Sequence, residues 1–71
     1  MPILIAPINQ ELTVKRVSGN DKERKHLESL GIVPGRTITV LKATNNGVIV
    51  LINDMRLAID RNVAMSIVVA A

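Results

Sequence analysis

Phenylalanine, tryptophan and tyrosine are absent from this 71-residue chain, and so is cysteine. Without aromatic rings there is no platform on which unpaired bases stack and no lining for a polyproline groove. Without cysteine there is no disulfide framework, thiol chemistry or thiolate metal site, a composition that suits a reducing compartment. No apolar run approaches the roughly 20 residues that cross a bilayer. The apolar start, Met1 to Ala6, has no basic leader and is broken by Pro2 and Pro7, unlike a cleavable secretory signal. The expectation is a cytoplasmic protein with no membrane insertion.

What the chain does have is aliphatic residues, so its core must be assembled from Val, Ile, Leu, Met and Ala. A chain of this length builds one core, and Met1 to Ala71 reads as one domain without linker, low-complexity tract or repeat. Such a core yields only about 3–5 kcal/mol of net stability, which leaves little to hold a strained catalytic site. The expectation is therefore a binding module and not an enzyme. Nine Lys and Arg against six Asp and Glu give a net charge of +3. That modest excess favours an acidic protein surface or a phosphate backbone as partner.

Turn residues divide the chain. Thr13 to Ser18 is β-prone and leads to Gly19 and Asn20, a strand exit. Asn20 can cap a helix, with Glu23 placed for a capping box, and Leu27 and Leu30 give that short helix one apolar face. Gly31 is suited to the left-handed residue of a Schellman motif that folds Ile32 back on Leu27, and Pro34 and Gly35 make a tight turn. From Arg36 the period changes to two, with Ile38 and Val40 on one face. Asn45, Asn46 and Gly47 tolerate positive φ and predict a reversal into Val48 to Ile52. Asn53 and Asp54 predict another, after which Met55, Leu57 and Ile59 alternate with polar or small residues. Arg61 to Met65 reads as one helical turn and Ser66 to Val69 as a last strand. The fold class expected is mostly β: a small, partly open SH3-like barrel of about five strands with one short α-helix. Val48 to Ile52 is apolar on both faces, so either Ile3, Leu4 and Ile5 or the helix should cover its outer side, with a second copy in weak self-association as the alternative.

Few residues carry chemistry. His26 stands in a charged helical segment without a second ligand at metal-binding spacing, and it reads as an exposed, neutral side chain. The six acids are scattered, and Ser29 beside His26 lacks a third orienting group. The glycines form no phosphate-cradling run. Metal binding through Asp54, His26 or methionine would rest on a poor ligand set, and no cofactor or metal site is expected.

One stretch is specific. Leu27-Glu28-Ser29-Leu30-Gly31-Ile32-Val33-Pro34-Gly35 resembles the hallmark of the FeoA family, the small companions of the ferrous iron transporter, which runs Leu, two variable residues, Leu-Gly-hydrophobic, one variable residue, Pro-Gly. Downstream, Ile38 and Val40, Arg56 to Asp60, Ala64 and Ile67 to Val69 are similar to the family's later elements in spacing and order, so the resemblance spans nearly all of the chain after Leu12. Pro7 to Glu11 departs from the Leu-rich, glycine-ended entry usual in relatives. The resemblance implies an SH3-like barrel and a role in ferrous iron uptake through binding the cytosolic part of FeoB, a membrane protein with a GTPase-like domain. It also implies a loose link to transition-metal ions. The domain resembles the C-terminal module of iron-dependent repressors too, but no DNA-binding helices accompany it here. The partner contacts expected are Arg24, Lys25 and Glu28 on the helix and Ile32, Val33, Pro34, Gly35 and Arg36 in the following turn. The other function weighed is a small basic barrel that binds nucleic acid, which the missing aromatics make unlikely.

Overall fold

Five strands form one antiparallel sheet in a computed structural model that describes all 71 residues. They are β1 (Glu11–Val17), β2 (Thr37–Thr44), β3 (Gly47–Ile52), β4 (Met55–Asp60) and β5 (Ile67–Ala70), in the spatial order β4-β3-β2-β1-β5. Helix α1 (Asp21–Ser29) joins β1 to β2, the four-residue α2 (Arg61–Ala64) joins β4 to β5, and a 3₁₀ turn covers Ile3–Ile5. The sheet curls without closing, since β4 and β5 are its two unjoined edges.

The curl has a local cause in two bulges. Between Val14 and Arg16 on β1, and between Val40 and Lys42 on β2, one strand advances two residues while its partner advances one. A bulge bends the strand and increases its twist, which turns a flat ribbon toward a barrel. The inward residues then meet in one core: Leu12, Val14, Ile38, Val40, Val48, Val50, Ile52, Ile59, Ile67 and Val69 from the strands, with Ile3, Leu27, Ile32 and Ala64 from the connections. No polar side chain is buried, so aliphatic packing has no desolvated polar group to offset.

The end of α1 follows the expected Schellman geometry. The Ile32 N–H donates to the Leu27 carbonyl and the Gly31 N–H to that of Glu28, both at 2.9 Å, with Gly31 at φ +91°. The Arg36 N–H then donates to the Val33 carbonyl at 3.1 Å, closing the Pro-Gly turn. At the start of α1 the Asn20 side chain accepts from the Glu23 N–H at 2.8 Å. The Glu23 carboxylate lies beside Gly19 and does not close the reciprocal half of a capping box.

Two expectations need correcting. The outer face of β3 is not covered: Ile49 is 38% exposed, in register with Lys42 and Ala58, and Leu51 is half-buried. The Ile3–Ile5 turn packs instead on α2 and β5, where Ile3 is fully buried. The reversal at Asn45 and Asn46 forms as expected, with the positive φ at Gly47 (147°), and the turn at Asn53 (51°) and Asp54 (62°) forms as well. Two consecutive left-handed residues make a two-residue turn whose twist matches its flanking strands. Finally, β5 begins at Ile67, because the Ser66 N–H and hydroxyl both bond back to the Val63 carbonyl and end α2.

The atypical N-terminal segment docks at two places. The Met1 nitrogen donates to the Val69 carbonyl at 2.6 Å and the Val69 N–H returns a bond to Met1 at 2.8 Å, while Pro2 pairs with Val68. This covers the free edge of β5. Further along, Ile8 bridges Val40 in parallel and the Asn9 N–H donates to the Val40 carbonyl at 2.7 Å, beside the β2 bulge.

Candidate interaction surface

The expected contact residues separate into two groups. Arg24, Lys25 and Glu28 are exposed on α1, where Arg24 pairs with Asp21 one turn earlier. That pair is a surface i, i+3 contact, which holds the guanidinium locally and contributes little to stability. Pro34, Gly35 and Arg36 are exposed in the turn and Val33 is half-buried. Ile32 is the correction here. It is fully buried, because the Schellman bond that ends α1 turns its side chain into the core. Its side chain is therefore a core anchor and is not available to a partner.

Arg36 reaches away from α1. Its guanidinium donates to the Asn53 side-chain oxygen at 2.6 Å, and it lines a hollow of about 220 Å³ with Glu11, Leu51 and Asp54. The Asn53 amide also approaches Gly31, so the end of α1, the Pro-Gly turn and the β3–β4 tip meet as one unit. His26 is exposed, as expected, and lies with Lys22, Glu23 and Val63 on the side of α1 that faces α2. Leu27 and Leu30 line a narrow cleft with Ala58 and Ile59. No three His, Cys, Asp or Glu side chains converge, and His26, Asp54 and the methionines share no cavity.

One surface escaped sequence reasoning. A groove of about 570 Å³ runs between the Ile3–Ile5 turn, the β2–β3 tip and α2, lined by Leu4, Ile5, Asn45, Arg61 and Met65 among others. These residues are far apart in sequence and share no periodicity, so only the docking of the N-terminal segment on α2 reveals them.

A family model for the FeoA domain matches residues 1–71. The chain belongs to the FeoA family. This places it among small proteins associated with ferrous iron transport, and the barrel agrees with those of family members. A crystal structure of an iron uptake regulatory protein (FeoA) is 28% identical, with a TM-score of 0.90 over 99% of this chain and 95% of that one. FeoA from Chlorobium tepidum is also 28% identical, with a TM-score of 0.85 over 99% and 69%. FeoA from Stenotrophomonas maltophilia, solved with zinc and described as an SH3 domain protein and candidate ferrous iron transport activating factor, is 24% identical, with a TM-score of 0.80 over 97% and 88%. At that identity it speaks for the fold. No curated protein matches the chain. No helix is long and apolar enough to cross a membrane.

Proposed function

We propose that this FeoA-family chain supports ferrous iron uptake as a cytoplasmic, non-catalytic accessory domain that binds the cytosolic part of FeoB. The observation that carries the reading is the family match across the whole chain. The architecture supports it, because every charged side chain lies at the surface while the interior holds aliphatic residues alone. A domain built this way acts through its exterior. Exposed Arg24, Lys25 and Glu28 and the turn from Val33 to Arg36 are the polar contacts of this reading, and the excess of basic residues suits an acidic partner surface.

The test is a pull-down of the tagged chain against the cytosolic domain of FeoB at moderate salt, with total nucleic acid in a parallel lane. Saturable capture of the FeoB domain, weakened by a double change Arg24→Ala and Lys25→Ala, is the expected result. Capture of nucleic acid alone, falling steeply with salt as phosphate contacts do, replaces this function with the basic-barrel one.

A further inference from the structure

Six large apolar side chains are exposed, and the two most exposed, Ile5 at 73% and Met65 at 62%, line the same groove. Exposed apolar residues scattered singly are ordinary, but convergence of the extremes on one concavity marks an interaction site. The groove's volume of about 570 Å³ falls within the roughly 300–1,000 Å³ usual for binding pockets. Its walls are also rigid on the N-terminal side. Ile5 and Ala6 donate to the Pro2 and Ile3 carbonyls at 3.2 Å, Ile3 is fully buried, and Met1 is bonded to Val69 in both directions. Ile5 is thus held outward by a fixed turn, so little conformational entropy is lost when something packs on it. Met65 on the opposite wall is unbranched and adapts to an irregular apolar surface.

The charge is equally one-sided. Arg61 is the only ionisable side chain lining the groove, no acid lines it, and Arg61 makes no ion pair. Arg61 is exposed and hydrated, so a purely apolar occupant gains nothing from it, whereas one that also carries a carboxylate adds a charge-assisted contact, and a nucleic acid backbone would find one cation where it needs several. The occupant that satisfies both features presents apolar side chains and a carboxylate side by side. Continuity with the polar surface adds a direction. α2 separates the two regions, with Val63 beside Lys22 and His26 of α1 and with Arg61 and Met65 in the groove. A partner that lies across α2 reaches both.

We infer that this groove receives a short protein segment carrying apolar side chains followed by a carboxylate, with Leu4, Ile5 and Met65 taking the apolar part and Arg61 the acid. In the context of iron transport this rests on the accessory reading, and the segment then belongs to the cytosolic part of the transporter. The experiment separates the two claims. The ¹⁵N-labelled chain is titrated with the capped peptide Leu-Leu-Asp, with its Leu-Leu-Asn counterpart, and with the FeoB cytosolic domain, while amide shifts are followed by NMR. The expected result is that Leu-Leu-Asp moves the amides of Ile5, Arg61 and Met65, and that Leu-Leu-Asn or the Arg61→Glu variant binds about fivefold more weakly, the scale of one exposed charge-assisted contact. Ile5→Asp, at a position already in solvent, keeps the folded spectrum and loses the response. Peptide shifts confined to α1, or equal shifts from both peptides, overturn the groove assignment. So do groove shifts that grow with the chain's own concentration alone, which make a second copy the occupant. A FeoB domain that binds while leaving groove amides unmoved overturns the transporter segment but keeps the accessory role. Peptide binding without any FeoB binding does the reverse.

Discussion

The tips of β2–β3 and β3–β4 are both led by asparagine, yet they solve the reversal differently. At Asn53 and Asp54 the turn itself is left-handed, and the strands on either side pair without interruption from Ile52 and Met55 to Gly47 and Asp60. At Asn45 and Asn46 the strain is moved into the strand that follows, where Gly47 sits at φ +147° and lets β4 approach so closely that a Cβ would lie 2.1 Å from the Ile59 carbonyl. The first arrangement frees the Asn53 side chain to serve Arg36 at the end of α1. The second brings the Asn46 carbonyl within 2.9 Å of the Arg61 N–H and so fixes α2 beside the groove. One tip supports the family's hallmark block, and the other supports the surface proposed to bind a partner.

Gly47→Ala is expected to do the most damage to either tip. Backbone would meet the new methyl at 2.1 Å, and backbone cannot step aside as a side chain can. A loss of about 2–5 kcal/mol is expected, enough to unfold a domain of this size, read by urea denaturation. Gly31→Ala comes next. There the methyl meets the Asn53 amide at 2.7 Å and a φ of +91°, so a loss of about 1–2 kcal/mol is expected. Because Asn53 is a movable side chain, the double change with Asn53→Gly should recover part of the loss. A strictly additive double mutant shows that the cost is all backbone.

Substitutions within the turns themselves have smaller effects, of opposite sign at the two tips. Asp54→Gly places glycine at a left-handed position of a turn that favours Asn-Gly, and a gain of about 0.5 kcal/mol is expected. Asn45→Gly has no left-handed residue to relieve and should cost a few tenths instead, because it adds freedom to the unfolded chain. Thermal denaturation distinguishes the two signs. Arg61→Glu and Ile5→Asp, both at exposed positions, should change stability by no more than about 0.5 kcal/mol while altering binding.

Much of this fold is legible in the chain because local rules and the global fold agree there. Leu27, Gly31, Ile32 and Pro34 each state a requirement of the helix end, and the inward sets of β2, β3 and β5 follow period two. The unread parts are those decided by docking. Nothing in Ile3, Leu4 and Ile5 says which of three similar side chains will be buried, and the structure takes Ile3 and leaves Ile5 outside. The two asparagine tips look alike in sequence, yet one puts positive φ on Asn53 and Asp54 and the other on Gly47. For the site, the α1 residues were visible as a charged helix face. Ile32 belongs to the core because the helix end turns it inward, and the groove has no sequence signal because its walls come from three distant segments.

Whether this chain serves ferrous iron transport through contact with the transporter is measured by uptake of radiolabelled ferrous iron in cells lacking it. The wild-type chain is expected to restore uptake, whereas a folded variant that no longer binds the FeoB cytosolic domain leaves it at the level of the deletion. Full restoration by that binding-deficient variant would show that contact with the transporter is not how the chain acts.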